Sequence, residues 1–386
     1  MSFIITLLAA VFVFSAVIAI HEFGHFAVAK LCGVQVNEFS IGMGPVLLKK
    51  MHHGTQYSLR ALPVGGFVAL EGEESPESQQ AEGEERSDLE ERPLSQRSGA
   101  DSSPNGGASN GEDLSQPNGK PLSEAPVWQR ALIMAAGACM NFLLGFVVMA
   151  IVLTAQNEPI TSRVIYAVED GALCGQTGLE AGDKVLAVNG RRCFVANDML
   201  YELMRTEDYS ASFTVLRDGK KVELPRVQFD TWQDEDGETH MSLGFTVYGI
   251  KKTPVNVIKE AWNSVLYYGR IIFTSLMDLL RGRESINDLS GPVGIVTAIG
   301  QAASYGWQDL LELLALITVN VGIFNLLPFP ALDGGKVVFL LIEGVTGHAV
   351  PEKIQSGLTL AAFALLFALM IFATYNDIVR LVTGAI

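Results

Sequence analysis

The chain has 386 residues, of which 49% are hydrophobic, and its formal net charge is −15. The apolar residues are gathered into long uncharged runs, which argues against an ordinary water-soluble globular protein. No basic stripe typical of nucleic-acid binding is present, so we expect no nucleic-acid partner.

Four uncharged runs have about the length, roughly 20 residues, that a helix needs to cross a bilayer. They predict four transmembrane helices, with the lipid bilayer as their surroundings, at 2–20, 131–154, 313–332 and 357–375. The first run lacks a basic segment before it, and HEFGHFAVAK follows where a small-residue cleavage site would be expected. We therefore expect this run to be retained as a helix and not removed as a signal peptide.

Glycines divide residues 27–71 into short runs rich in β-branched and aromatic residues, namely VQVNEFSI, TQYSLRAL and GFVAL. This pattern predicts strands and turns. Because lipid cannot satisfy the backbone of a strand, we expect the strands to lie inside the protein or at the membrane interface.

The acidic character of the chain is concentrated in one segment. Residues 71–127 contain fourteen acidic side chains and four basic ones. Residues 72–122 lack aromatic residues and are rich in Glu, Ser, Pro and Gly, so the composition predicts disorder. We interpret 72–127 as a tolerated insertion, and a regulatory role for it stays open.

Residues 159–250 have the alternation of strand-like runs, turns and a short helix (NDMLYELMRT) that predicts a small α+β domain. Cys174 and Cys193 both fall here, and their spacing leaves open whether they form a disulfide. Residues 254–282 then repeat apolar side chains at helical spacing, which predicts an amphipathic helix at the membrane interface.

Basic residues near the predicted spans give the orientation of the chain. They fall after the first span, before the second, and between the third and fourth, at Lys30, Lys49, Lys50, Arg60, Arg130, Lys336 and Lys353. The positive-inside rule places these segments in the cytoplasm, and Arg380 is a minor exception. The domain at 159–250 is then expected outside the membrane, on the extracytoplasmic side.

The sequence HEFGH at the end of the first apolar run contains a possible metal site. His21 and His25 are four residues apart, so both project from one face of a helix, and this spacing allows two imidazoles to bind one zinc ion. Glu22 lies beside them as a possible general base. Ionisable groups at membrane depth are costly and are usually functional.

Catalytic zinc normally has three protein ligands. The best candidate for the third is Asp333, in NLLPFPALDGG near the end of the third span. Pro328 and Pro330 predict an extended, non-helical course there, and two glycines after the acid permit a tight backbone. The other histidines are predicted to be solvated, and the four cysteines lack CxxC spacing; those histidines are His52, His53, His240 and His348.

HEFGH and NLLPFPALDGG together resemble the site-2 protease family of intramembrane zinc metalloproteases. The similarity is greatest to the bacterial branch that includes the regulator of sigma-E protease. EFSIGMGP and GTQYSLRALPVGGFVAL also match that branch, and the resemblance covers nearly the whole chain outside 72–122. It implies regulated cleavage of single-span proteins, such as anti-sigma factors or signal-peptide remnants, in a bacterial inner membrane.

The same resemblance implies roles for individual residues. His21, His25 and Asp333 would bind one zinc ion, Glu22 would be the catalytic base, and Asn325 would hold the substrate backbone. The domain at 159–250 resembles a PDZ domain, with SLGF at 242–245 as a weak match to its groove loop.

The predicted fold is therefore a polytopic helical membrane protein with membrane-associated β-hairpin segments and an extracytoplasmic α+β PDZ domain. Its predicted boundaries are 1–26, 27–71, 72–127, 128–154, 159–250, 254–282, 310–335 and 356–376. This chain departs from the sigma-E branch in having one PDZ domain, not a tandem pair, and in its acidic insertion. A catalytically inactive scaffold and a zinc hydrolase of lipids are the alternatives, and the oligomeric state is open.

Overall fold

The computed structural model describes residues 3–73, 119–206, 208–234, 237–283, 285 and 289–383. Most of the predicted acidic insertion, residues 74–118, lies outside these. The chain forms two compact units. The first, unit 1, comprises Met1–Leu144, Asn287–Tyr305 and Val321–Ile386, and the second, unit 2, comprises Gly145–Ile286 and Gly306–Asn320.

The helices of the described residues are given in chain order. They are α1 (Phe3–Leu31), α2 (Val127–Ala155), α3 (Leu173–Gln176), α4 (Ala196–Met204), α5 (Pro254–Leu280), α6 (Pro292–Tyr305), α7 (Trp307–Leu326), α8 (Asp333–Thr346) and α9 (Glu352–Thr383). Among them, α1, α2, α7 and α9 are long and apolar enough to cross a membrane. This confirms the prediction of four such helices. The sequence pattern had not indicated α6 or α8.

The strands form separate sheets. They are β1 (Val36–His52), β2 (Thr55–Leu70), β3 (Ile160–Val168), β4 (Lys184–Val188), β5 (Arg191–Arg192), β6 (Ser210–Arg217), β7 (Lys220–Gln228), β8 (Asp230–Gln233), β9 (Thr239–Ser242) and β10 (Phe245–Ile250). In unit 1, β1 and β2 pair as an antiparallel hairpin. In unit 2, the strand order is β10-β3-β4-β6-β7, with β5 paired to β4 and with β8–β9 as a separate ribbon.

Helix α1 continues through HEFGH to Leu31, five residues beyond the predicted end at 26. The helix ends where Gly33 takes a left-handed φ of 71°. There, the Val34 amide donates to the Ala29 carbonyl at 2.9 Å, the six-residue bond of a Schellman cap. The HEFGH residues therefore lie inside a continuous helix, not at its frayed end.

The third apolar run is interrupted where its prolines occur. Helix α7 ends at Leu326, and α8 begins at Asp333. Between them the chain makes tight turns, with the Phe329 amide donating to the Leu327 carbonyl at 2.7 Å. The extended course expected here is wrong, because local backbone hydrogen bonds close the segment into turns.

The β1–β2 hairpin is folded on itself. Residues 38–41 of β1 pair with 66–69 of β2 on one side and with 56–59 on the other. β1 therefore lies between two segments of the same partner strand. Gly66, in the segment 66–69, lies against α1. A Cβ added to this glycine would be 3.5 Å from the Cγ of Glu22.

Residues 119–126 are not part of a disordered insertion. The Leu122 amide donates to the Glu71 carbonyl at 2.7 Å, and the Gln35 amide donates to the Lys120 carbonyl at 2.9 Å. Leu122 and Ala125 are buried in a small core with the end of α1 and the start of α2. The prediction of 72–127 as insertion is therefore wrong at its C-terminal end, because apolar residues there complete this core.

The core of unit 2 fills the region from β3 to β10, which we call the sheet domain. Ile165, Leu203 and Phe213 are among its fully buried side chains. Cys174 and Cys193 also lie in this core, and both are free thiols. Burial raises the pKa of Cys193 to about 12, so this thiol stays protonated at neutral pH.

Helix α6 in unit 1 is held by a carboxylate from α9. Asp377 is fully buried and accepts hydrogen bonds from the amides of Gly291, at 3.1 Å, and Gly294, at 2.7 Å. Gly291 directly precedes α6, and Gly294 lies in its first turn, where backbone donors have no partner within the helix. An added Cβ at Gly291 would lie 2.8 Å from the Asp377 carboxylate, so glycine is required there.

We predict that residues 76–116 can be replaced by a short Gly-Ser linker without loss of folding. Glu71 and Leu122 are directly hydrogen-bonded, so the chain enters and leaves this segment at one place. Shortening the connection from about 45 to about ten residues lowers its closure cost by roughly 1 kcal/mol. The measurement is the thermal midpoint of the purified protein in detergent, together with its zinc content.

The control for this replacement is Leu122→Ala in the full chain. Truncating a buried leucine costs about 2–5 kcal/mol, so this variant should unfold at a clearly lower temperature. A linker variant that is as unstable as Leu122→Ala would show that the replaced segment is structural.

Candidate metal centre

Helix α1 presents His21 and His25 on one face in unit 1. The two residues are one turn apart, and their Nε2 atoms are 3.2 Å apart. The rings are nearly perpendicular, with an interplanar angle of 81°. Both tips therefore point to the same place beside the helix.

Asp333, the first residue of α8, completes the group. Its Oδ2 lies 3.1 Å from Nε2 of His21 and 3.3 Å from Nε2 of His25. The structure thus brings together the three side chains that the sequence predicted as metal ligands. Their placement relies on the break after α7, which starts a new helix at the aspartate.

The separations among the three donor atoms fit a tetrahedral zinc site. Zinc–nitrogen and zinc–oxygen bonds are about 2.0–2.2 Å, so tetrahedral ligand atoms are about 3.3 Å apart. The observed edges are 3.1, 3.2 and 3.3 Å. Hydrogen bonds alone do not account for the triangle, because an imidazole nitrogen has one site and cannot serve both neighbours. Oδ2 of Asp333 is buried and has no hydrogen bond of good geometry within the described residues.

The outer nitrogen of each imidazole is held by α2. Nδ1 of His25 is 2.8 Å from the Ile133 carbonyl, so Nδ1 is the protonated nitrogen and Nε2 has its lone pair free for a metal. Nδ1 of His21 is 3.3 Å from the Asn141 amide group. Turning that amide by 180° presents its oxygen to a protonated Nδ1, and the two amide orientations are equivalent in shape.

Sequence reasoning missed Asn141, which is buried in the middle of α2. A signal was available, because an asparagine in an otherwise uncharged span is costly unless it has a partner. The run GACMNF in α2 contains this asparagine and, four residues earlier, Gly137. Both residues therefore belong to the face of α2 that lies against the histidines.

Helices α1 and α2 approach each other closely at two glycines. A Cβ added to Gly24 would be 2.5 Å from the Ala136 carbonyl oxygen and 2.9 Å from Cα of Gly137. A Cβ added to Gly137 would collide with Nε2 of His25 and lie 2.6 Å from Cε1 of His21. Small residues permit such contact between membrane helices, and here they make room for the imidazoles.

Two further glycines set the position of the aspartate. A Cβ on Gly334 or Gly335 would overlap the carbonyl oxygens of Leu327 and Phe329, respectively. The first turn of α8 therefore packs directly against the backbone of the preceding turns. The sequence had indicated a tight course at these glycines, although not the helix that begins with them.

The other residues considered in the sequence analysis lie on α1, on α7 and in connecting segments. Glu22 follows His21 on α1, is half-buried, and has Gly66 of β2 beside its side chain. Asn325 is half-buried on the last turn of α7. His52 and His53 are at the turn between β1 and β2, and His348 follows α8.

One further group of possible ligands occurs in the described residues, on the β8–β9 ribbon. It consists of Asp234, Glu238 and His240, in which Nε2 of His240 is 2.6 Å from Oδ2 of Asp234. His240 thus contacts a carboxylate at the surface, where such groups are common.

Comparison with known protein families identifies the family of this chain. The profile of peptidase family M50 matches residues 9–369. The chain belongs to peptidase family M50. This confirms the resemblance to site-2 proteases found in the sequence.

Relatives of this M50 peptidase are similar over nearly their full length. The regulator of sigma-W protease RasP of Bacillus subtilis is 28% identical over 98% of this chain and 99% of its own. The zinc metalloprotease RasP of Geobacillus kaustophilus is 30% identical, covering 97% of each chain. A putative zinc metalloprotease of Brucella suis is 30% identical over 97% of this chain and 95% of its own.

The M50 chain is accordingly a zinc metalloprotease, and its cofactor is zinc. Four helices that are long and apolar enough to cross a membrane, together with these relatives, indicate a bacterial membrane protein.

We predict that Gly137→Ala abolishes zinc binding. The added methyl group would occupy the position of the His25 ring nitrogen, so one or both imidazoles must turn away. Gly357→Ala is the matched control, since this helical glycine on α9 has open space around its Cβ position. Zinc content of the purified variants, measured by atomic emission, should fall at least tenfold for Gly137→Ala only. Full zinc occupancy in Gly137→Ala would contradict the close crossing of α1 and α2.

Proposed function

We propose that this M50 protease hydrolyses peptide bonds within the transmembrane segments of single-span membrane proteins, as in regulated intramembrane proteolysis. The observation that supports the proposal best is the triangle of ligand atoms on α1 and α8, with edges of 3.1–3.3 Å. His21 is the nineteenth residue of α1, so it lies about 27 Å along the helix at 1.5 Å per residue. The site is therefore inside or at the edge of the apolar layer that α1 crosses.

In this proposal, His21, His25 and Asp333 hold the zinc ion. A zinc ion held there would polarise the scissile carbonyl and lower the pKa of a bound water. Glu22, which lies next to the ligands without being one, would take a proton from water as general base and return it to the leaving amide nitrogen. The protonated Nδ1 of His25, fixed on the Ile133 carbonyl, keeps its ring oriented throughout.

The substrate must be unwound before its backbone can reach the zinc. Residues 66–70 of β2 pair with β1 along one edge, and Gly66 lies beside Glu22. A strand added along this segment would pass close to the general base, with its backbone groups satisfied by the sheet. Asn325 would hold the substrate backbone from the side of α7.

Orientation and substrate class follow from the charge pattern and the relatives. The basic residues after the first span and between the last two support a metal site towards the cytoplasm and a sheet domain outside. One relative is named as a regulator of sigma-W, which supports membrane-anchored anti-sigma factors, or signal-peptide remnants, as substrates. The location in this proposal is the bacterial inner membrane.

We further propose that the sheet domain is a PDZ domain that selects substrates. In SLGF at 242–245, the first residue ends β9, Leu243 and Gly244 form the connection, and Phe245 begins β10, where a groove loop would precede its strand. The domain is fixed to α5 within unit 2 by the ion pairs of Arg270 with Asp198 and Arg205 with Asp278, whose carboxylates are buried. A domain fixed in this way is suited to exclude bulky substrates.

We predict that Glu22→Gln abolishes cleavage but retains zinc, whereas Asp333→Ala loses both. General acid–base catalysis contributes about 10²–10⁴-fold, so Glu22→Gln should slow the reaction by at least that factor. The measurements are zinc content and cleavage of a purified single-span reporter in detergent. Glu22→Gln cleaving at the parental rate would disprove the assigned mechanism. Asp333→Ala with full zinc would disprove the ligand set.

Two results would favour the alternative functions. If zinc binds but single-span reporters remain intact while a phospholipid or another small ester is hydrolysed, the protein is a lipid hydrolase. If nothing is hydrolysed by the zinc-loaded parental protein, it is a scaffold. Glu22→Gln is the control in both assays, because contaminating hydrolases would be unaffected by it.

The filter role predicts that deleting residues 160–250 allows cleavage of reporters that still carry a large outer domain. The deletion should leave the metal ligands intact, because His21, His25 and Asp333 all belong to unit 1. Trimmed and untrimmed reporters are compared with parental and deleted enzymes at equal zinc content. A zinc-loaded deletion variant that cuts trimmed reporters but refuses every untrimmed one would show that the domain is not the filter.

A further inference from the structure

Helix α5 has two apolar faces of different character. One face packs inside unit 2 through Val257, Ala261 and Val265, which are buried. The other exposes Val255, Ile258 and Trp262, which are 73%, 57% and 54% accessible. The exposed residues are three and four positions apart, so they form a stripe along the helix. Such a stripe is stabilised by lying in the boundary between lipid headgroups and acyl chains.

A cavity of about 240 Å³, to which several polar and charged side chains contribute, opens beside this stripe. Its α5 wall is formed by Asn256, Lys259 and Asn263, and its opposite wall includes Arg163 of β3 and Lys184 of β4. Each of the three α5 residues directly follows a stripe residue in sequence. Successive residues are rotated by about 100° around a helix, so the cavity wall adjoins the stripe. When the stripe is in the acyl boundary, the cavity is at the level of the headgroups.

The cavity is cationic. Arg163, Lys184 and Lys259 line it, against the single carboxylate of Glu260. Among the described residues, neither Lys184 nor Lys259 has a carboxylate within ion-pair distance. Burial raises the pKa of the Glu260 carboxyl group, whereas Nδ2 of Asn263, which donates to its Oε2 at 3.1 Å, favours the charged form.

The shape of the cavity is fixed from both sides. Arg163 donates to the Cys193 carbonyl, which holds its guanidinium in place on the sheet domain. The start of α5 is fixed by Thr253, whose hydroxyl oxygen accepts a hydrogen bond from the backbone N–H of Asn256 at 3.2 Å. The volume is below the roughly 300–1,000 Å³ of pockets for drug-sized ligands, so it suits a small headgroup and not a whole lipid.

We propose that this cavity binds the phosphate group of an anionic phospholipid, with Arg163, Lys184 and Lys259 as its charged partners. Phosphate accepts hydrogen bonds from guanidinium and ammonium groups. The acyl chains stay outside, along Ile258 and Trp262. This inference rests on the interfacial position of α5, which brings the cavity to headgroup level.

The test uses the full-length protein in detergent and native mass spectrometry, with phosphatidylglycerol as the probe and phosphatidylcholine as the reference lipid. The parental protein should retain one phosphatidylglycerol at least tenfold more tightly than phosphatidylcholine. Lys184→Gln with Lys259→Gln should lose about 30-fold in affinity, since each basic residue at a membrane surface contributes roughly a fivefold attraction. Lys259→Gln alone, on the exposed surface of α5, should show an intermediate loss.

The control is Lys220→Gln with Lys221→Gln, which removes the same charge from β7, outside the cavity. This variant should bind lipid as the parental protein does. Equal loss in both double variants, or no loss in Lys184→Gln with Lys259→Gln, would overturn the site. Displacement of the lipid by equimolar inorganic phosphate would show a site for free phosphate and would overturn the lipid assignment.

Two measurements separate this inference from the proposals before it. Lipid retention does not need cleavage, so an inactive enzyme that still binds phosphatidylglycerol would leave the site standing. The position of α5 is tested by quenching tryptophan fluorescence with brominated acyl chains in vesicles. The quenched signal should fall when Trp262 is replaced in Trp262→Phe. No change there would remove α5 from the interface, and with it the lipid site.

Discussion

The backbone contact between α1 and α2 at Gly24 and Gly137 is the constraint on which the metal centre depends. A distance of 2.5 Å between an added Cβ at Gly24 and the Ala136 carbonyl leaves no room for any side chain. This approach brings the Ile133 carbonyl and Asn141 within reach of the two imidazoles. Without it, both rings would be free to turn about their χ angles, and the Nε2 atoms would no longer converge.

The same contact explains why such polar groups are tolerated in apolar helices. An imidazole, an amide or a carboxylate in hydrocarbon is costly unless each hydrogen-bonding atom has a partner. Here Nδ1 of His25 has the Ile133 carbonyl as its partner, and Nε2 lies 3.3 Å from the aspartate oxygen at the position where the ligand atoms of a zinc ion would converge. The polar atoms face one another between helices, and the outer faces of those helices remain apolar. The close contact of the two helices therefore both packs their backbones together and shields the polar atoms of the metal centre from lipid.

The sequence predicted those parts of the structure that depend on residues close together in the chain. Apolar runs give spans, HEFGH gives two ligands on one face, and the LDGG motif marks the third. The break before Asp333 was expected from Pro328 and Pro330, but its turns were not, because backbone hydrogen bonds there are invisible to residue type. Leu122 was assigned to the acidic insertion because its neighbours are polar, and only its tertiary contacts show that it belongs to a core.

Asn141 and Gly137 show a different limit. Each is an ordinary residue in a helical run, and its importance arises from what another helix places against it. Helix α6 escaped the sequence analysis for a related reason. Its 14 residues are too few to cross a bilayer, and its first turn is completed by an aspartate more than 80 residues later. Local patterns contain no trace of such a partner.

That distant cap has a consequence for how the chain is made. Asp377 follows Gly291 and Gly294 by more than 80 residues, so the ribosome has synthesised α7, α8 and most of α9 before these amides gain their acceptor. Until then α6 has unsatisfied donors at its start and cannot settle stably in an apolar setting. We therefore expect α6 to pack stably only after α9 has been synthesised and Asp377 has bonded to its start. A chain truncated just before Asp377 would contain the three predicted metal ligands but lack the acceptor that completes α6.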